Sequence, residues 1–158
     1  MGVDMSGERL LPAKRMAAGA LFLSDDDRLL IVKPWYREHW HLPGGMVELD
    51  ESPRQACARE TLEELGLSVA PLRLLCVDYT SAVEDFSESL QFVFWAGRID
   101  TAQLGAIQLQ TEELTEWRLV TVAEASALLA PRITRRLPAC LDALASGVTL
   151  YLEDGQPY

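Results

Sequence analysis

Three glutamates, Glu60, Glu63 and Glu64, lie close together in a segment, Gly44 to Leu67, that is rich in acid. Wound at about 100° per residue, Glu63 falls about 60° to one side of Glu60 and Glu64 about 40° to the other, so one helical face carries all three. Ala56 and Cys57 share that face and are small enough to let something approach. Ala58, Leu62 and Leu65 fall on the opposite side, the expected core face. Arg59 stands on the flank, where it can steady a carboxylate by a charge-assisted hydrogen bond. One reading is a solvated acidic surface. The electrostatics oppose it: Glu60 and Glu64 are like charges at i,i+4, and Glu63 and Glu64 occupy the last turn, the wrong end of the dipole for anions. A bound divalent cation would reverse the sign. Three convergent carboxylates suit a hard, oxygen-preferring ion such as Mg²⁺ or Mn²⁺.

The helix that must carry these acids is framed by its caps. Ser52 followed by Pro53 is a strong opening, and Gln55 completes a capping box with Ser52. Gly66 supplies the left-handed residue that ends helices, giving roughly 13 residues between the caps. Upstream, residues 1–14 lack periodicity and are expected to form a loose, disordered arm. Met16 to Leu23 and Leu29 to Lys33 read as a hairpin across Ser24 to Asp27. Pro34 to Trp40 reads as a polar and aromatic loop leading through His41-Leu42-Pro43 into a Gly44-Gly45 turn. Downstream, Leu72 to Tyr79 and Leu90 to Ile99 are strands joined by an acidic loop, and residues 100–114 are irregular. Glu116 to Val122 is a strand, Ala123 to Leu129 a short helix, and Pro131 to about Ala145 a longer helix stopped by Gly147. Val148 to Leu152 is a closing strand, followed by a polar tail. The early strands are too close together for crossover helices, which predicts a mixed sheet with helices on both sides. The domain is expected over residues 15–153.

The chain has 158 residues, a net charge of −10 and three widely spaced cysteines. That charge argues against a large nucleic-acid surface, because backbone affinity needs clustered Lys and Arg. A small phosphorylated substrate remains compatible if metal ions neutralise both partners. Cys57, Cys76 and Cys140 match neither a disulfide framework nor a zinc pattern. With no run of membrane-spanning length and no signal peptide, a cytoplasmic protein is expected. Twelve arginines against two lysines suit a GC-rich bacterial genome.

The spacing Gly45, five residues, Glu51, seven residues, then Arg59-Glu60-Thr61-Leu62-Glu63-Glu64-Leu65-Gly66-Leu67 resembles the Nudix hydrolase signature GX5EX7REUXEEXGU, where U is a bulky aliphatic residue. Thr61 at the first U site is the one departure. Trp40 to Gly44 also looks like the approach to that motif, and the order of elements is similar to the Nudix fold. The resemblance implies an α/β (α+β) fold, a Nudix-type α/β/α sandwich with a mixed β-sheet. It implies a hydrolase that cleaves a nucleoside diphosphate derivative by attack of water at phosphorus, with two or three divalent cations. Glu60, Glu63 and Glu64 would be metal ligands, with the backbone carbonyl of Gly44 or Gly45. Glu51 and Arg59 would orient them from behind. The general base would be a glutamate of the helix, Glu63 or Glu64, or one in a later loop. Glu113 or Glu112 is preferred there over Glu84, Asp85 and Glu88. A homodimer is common in the family.

Other residues have competing readings. Arg37 and Trp40, with Trp35 and Tyr36, could bind substrate, the aromatics by stacking on a base; core or rim packing is the alternative. Arg132, with Arg135 and Arg136, could grip a phosphate; a solvated helix face is the alternative. His39 and His41 suit a substrate or surface role better than a metal. Cys57 reads as a small packing residue. A nucleotide-sensing domain without turnover is the rival function, opposed by the intact acids. An isomerase on the same scaffold would need a catalytic cysteine and histidines that find no counterpart here. Substrate identity should reside in the loops at 34–40, 80–89 and 100–114.

Overall fold

The computed structural model describes residues 12–71 and 73–158. The expected N-terminal arm therefore lies largely outside the described residues, as does Leu72, the expected start of a strand. Eight strands form one sheet: β1 (Arg15–Ser24), β2 (Leu29–Pro34), β3 (Gly44–Met46), β4 (Arg73–Thr80), β5 (Ser89–Ile99), β6 (Leu114–Val120), β7 (Leu150–Glu153) and β8 (Gln156–Pro157). Four helices accompany them: α1 (Pro53–Leu65), α2 (Thr101–Gly105), α3 (Val122–Leu128) and α4 (Pro131–Ser146). The strand order is β6-β2-β1-β5-β4-β7-β8, with β3 paired to β1 beside that path. The β1–β5 and β4–β7 pairs are parallel and the others antiparallel, so the sheet is mixed as expected.

Both faces of the sheet are covered, which is why β2 reads as an unbroken apolar run rather than an alternation. Leu29 and Ile31 join Leu21, Val93, Leu129 and Leu137 on the face beneath α3 and α4. Leu30 and Val32 join Phe22, Phe94, Ala56 and Leu65 on the face beneath α1. The result is an α/β/α sandwich.

The helix caps follow the sequence closely. Ser52 accepts from the Gln55 amide, the Gln55 side chain accepts from the Ser52 amide, Pro53 opens the helix, and Gly66 closes it at φ 69°. Of the expected core face of α1, Leu65 is buried, but Ala58 and Leu62 are corrected. Ala56, Cys57, Thr61, Glu64 and Leu65 are the buried residues, while Leu62 is 52% exposed. The buried arc is thus centred near Glu64, and the carboxylate face itself turns toward the sheet. An apolar wheel misled because the helix must bring its acids to the protein, not to solvent.

Four further differences concern boundaries. Gly44-Gly45 is not a turn but the start of β3, paired to Ala17–Gly19 of β1. The segment 100–114, expected to be irregular, contains α2, opened by an Asp100–Gln103 capping box. The strand expected from Glu116 starts at Leu114, where it pairs with Pro34. The polar tail adds β8 by an antiparallel turn through Asp154 and Gly155. No helix among the described residues is long and apolar enough to cross a membrane.

Candidate active site

The site begins with a split between β1 and β2. They pair at Leu23 and Leu29, whereas the first half of β1 pairs with β3 instead. The chain at 41–43 lies in the opening: His41 exchanges backbone hydrogen bonds with Val32, and the Pro43 carbonyl accepts from the Ala20 amide at 2.8 Å. Gly44 is required at the join. Its φ is +145°, and a Cβ there would stand 2.2 Å from the Ala18 carbonyl oxygen. A Cβ on Gly45 would meet the Glu60 carboxylate at 2.4 Å. These glycines leave a bare strip of backbone facing α1.

Over that strip the acids are held in distinct ways. Glu64 is 6% exposed and accepts from the Gly44 amide at 2.8 Å. Burial pushes its carboxyl up to about 8; the Gly44 bond opposes this, and the charges of Glu60, Glu113 and Glu63 reinforce it. Glu60 is also shifted up, chiefly by burial, against the pull of Arg59. Arg59 is the hub. Its Nε and Nη2 donate to the two oxygens of Glu51 at 2.8 and 3.0 Å, and its Nη1 donates to Glu60 at 2.9 Å and Glu63 at 3.0 Å. Nη2 also donates to the Met46 carbonyl at 3.0 Å, tying α1 to β3. The fork on Glu51 holds that carboxylate below its usual range. Glu51 and Arg59 thus form the brace that aims the other acids.

The loop before β6 completes the cluster. The Gln108 amide donates to the Leu65 carbonyl and the Gln110 amide to the Glu64 carbonyl, at 2.8 and 3.0 Å, docking this loop on the end of α1. The charge of Glu113, in that loop, adds a lesser push to the raised carboxyls of Glu60 and Glu64. The Glu112 carbonyl accepts from the Trp35 indole at 2.8 Å.

Among the described residues no three acidic, cysteine or histidine side chains converge into a ready cation cage. Glu60 and Glu63 are turned onto Arg59 and Glu64 onto Gly44. The donor set nonetheless fits a hard divalent ion. It is all carboxylate, it includes one buried acid whose neighbours are also acids, and a cation would relieve both the burial and the repulsion.

Other candidate residues separate. Trp40 is corrected as a substrate contact: it is 6% exposed and lies in the core. Its amide donates to the Leu128 carbonyl and its carbonyl accepts from the Ala130 amide, which seat it beneath the α3–α4 junction. Arg118 covers its ring at 4.7 Å. Arg37 lines a cleft with Tyr36, Glu38, His39, His41 and Ala130. Burial lowers His41 to about 4, so it is neutral at physiological pH. Arg132 instead faces the β4–β5 loop, over the Phe86 ring at 5.9 Å. Arg136 is neither a phosphate grip nor a solvated residue, being 6% exposed and ion-paired to Asp78 at 2.8 Å. Cys57 is buried, and that burial pushes its thiol up to about 12, consistent with packing rather than reactivity. Thr61 is also fully buried and donates to the Cys57 carbonyl at 2.8 Å, which is how a hydroxyl fits at an aliphatic site.

An acidic helix braced by one arginine above a glycine strand, on an α/β/α sandwich, defines a recognisable class. Residues 13–140 match the NUDIX domain, and the chain belongs to the Nudix hydrolase family. Over 58 residues it is 38% identical to a MutT-like protein of Streptomyces ambofaciens, covering 37% of this chain and 38% of that one. Over 72 residues it is 38% identical to a putative ADP-ribose pyrophosphatase of Bacillus subtilis, covering 45% of this chain and 34% of that one. The matches thus span little more than a third of these curated relatives. A solved UDP-X diphosphatase shares the fold, with a TM-score of 0.72 at 22% identity over 91% of this chain and 69% of that one.

Proposed function

We propose that the chain is a Mg²⁺- or Mn²⁺-dependent pyrophosphohydrolase that cleaves the diphosphate linkage of a small nucleoside diphosphate derivative or nucleoside triphosphate. The observation that carries this reading is the row of carboxylates on α1, buried Glu64 on the Gly44 amide and Glu60 and Glu63 held by Arg59, over backbone kept bare by Gly44 and Gly45. Glu60, Glu63 and Glu64, with a carbonyl of Gly44 or Gly45, would hold two to three ions. When bound, such ions neutralise the diphosphate and lower the pKa of the attacking water. Glu51 and Arg59 would orient these carboxylates from behind. Glu113 takes the proton as the water oxygen bonds to phosphorus, and the bridging P–O bond breaks to release the second phosphate. Arg37 would contact the substrate, and residues 15–153 would carry this work, a reading supported by the pairing of β7 with β4 beyond the family match. The proposed setting is the cytoplasm of a bacterium, and the chain could act as a homodimer.

A screen of nucleotide diphosphate derivatives, ADP-ribose and UDP-sugars among them, with Mg²⁺ and Mn²⁺ and coupled phosphate release, tests the activity. Glu63→Gln and Glu64→Gln should each lower kcat by about 10²-fold or more with the fold retained by circular dichroism. Full activity in the double variant would overturn the metal-site assignment. Glu113→Gln should lower kcat by about 10²- to 10⁴-fold while Glu112→Gln stays near wild type; the reverse pattern would move the base to Glu112.

A further inference from the structure

Trp35 is the first residue past β2, and Glu113 is the last before β6. Trp35 is 64% exposed, yet both of its N–H groups are committed. The amide donates to the Glu113 carbonyl at 3.0 Å and the indole Nε1 to the Glu112 carbonyl at 2.8 Å. The first bond merely continues the β2–β6 ladder. The second does not belong to any ladder: it pins an aromatic side chain onto the turn that carries Glu113. An indole open to water has little need of such a partner, and a core role is excluded by its exposure.

The ring is not alone. Tyr36 is 53% exposed, and the two rings meet edge to face, with centroids 5.6 Å apart and planes at 81°. The Arg37 guanidinium lies 5.4 Å from the Tyr36 ring. Two exposed rings at right angles form a corner that offers one planar guest a face and an edge. A nucleobase has the shape and the π-face to use it, with an adjacent cation for nearby negative charge. The corner is hydrogen-bonded to the loop that docks on the end of α1, so one ligand could span both. A protein partner would need a wider apolar patch than two rings supply.

We propose that Trp35 does two things in one side chain: its ring stacks on the base of the substrate, and its indole N–H positions Glu113. The proposal rests on the hydrolase reading above. It makes Trp35 a specificity-determining and positioning residue, and it couples base occupancy to the placement of the general base.

Two substitutions separate the roles. Trp35→Phe keeps a ring but deletes the N–H. It should lower kcat about 10-fold, in the range of an outer-shell hydrogen bond, and leave KM within about 3-fold. Trp35→Leu deletes both and should also raise KM about 10- to 100-fold, the worth of a lost base–aromatic contact. Unchanged kcat in Trp35→Phe overturns the positioning role, and unchanged KM in Trp35→Leu overturns the stacking. A binding measurement is independent of turnover. Adenosine 5′-monophosphate in EDTA should quench wild-type tryptophan emission and leave Trp35→Phe unquenched. No quench in wild type, or an equal quench in the variant, overturns the base platform. Quenching that depends on Trp35 in a protein that hydrolyses no substrate would keep the platform and overturn the hydrolase reading instead.

Discussion

At the scale of residues, Glu64 is the most revealing side chain. It is buried, has acids for neighbours, and holds its proton up to about pH 8 when no cation is present. Its value in the unfolded chain is the ordinary 4.5, so the folded state binds the extra proton between these limits. Stability from this group is therefore complete below about 4.5 and is lost as pH rises through about 8. A divalent ion takes the proton's place. In EDTA the melting temperature should fall between about pH 6.5 and about pH 9, since His41, lowered by burial from 6.5 to about 4, contributes the opposite slope below that range, and Mg²⁺ should raise it more at the upper end than at the lower. Glu64→Gln should flatten the EDTA profile and remove most of the Mg²⁺ effect. A wild-type profile in EDTA that rises over this range would contradict the assignment. Thermal melts by circular dichroism across pH decide it.

At the scale of elements, α1 is the part on which the rest depends, and its stability is local. The reciprocal Ser52–Gln55 bonds satisfy two amides that the helix itself cannot. Ser52→Ala should cost about 1 kcal/mol in urea unfolding and leave the metal-site residues in place. A loss of several kcal/mol would mean that Ser52 does more than cap. The capping box, the proline and Gly66 were all legible in the sequence because caps obey short-range rules. The face that α1 buries was not. Leu62 and Ala58 look like a core stripe on a wheel, and only the position of the sheet shows that Glu64 points inward. β3 was hidden for a related reason. Its three residues contain two glycines and acquire strand geometry only by pairing with Ala17–Gly19.

At the scale of the molecule, the sheet is closed on the α4 side by a buried ion pair. Arg136 donates to Asp78 at 2.8 Å and to Thr80 at 3.3 Å, and the Gly155 amide donates to the other Asp78 oxygen at 3.0 Å. One knot thus joins α4, β4 and the turn after β7. Removing one partner strands the other charge. Arg136→Met should cost about 3–5 kcal/mol in chemical denaturation, whereas Arg136→Met with Asp78→Leu should recover much of that loss. If the double variant is no better than the single, the charge pair itself is needed and the packing account fails. Either result leaves the acids of α1 untouched, because this knot lies on the opposite face of the sheet.

The sequence by itself determined the acidic motif, the helix caps, the mixed sheet and the family, because each rests on residue type at a fixed local spacing. Tertiary structure decided which face of α1 is buried and that Arg136 and Trp40 belong to the interior. These depend on contacts between segments far apart in the chain. The turn at Gln110 meets the end of α1, Trp35 meets Glu112, and Asp78 meets Arg136 only after the sheet has brought them together. Spacing names the donors of a site; packing chooses which of them face one another.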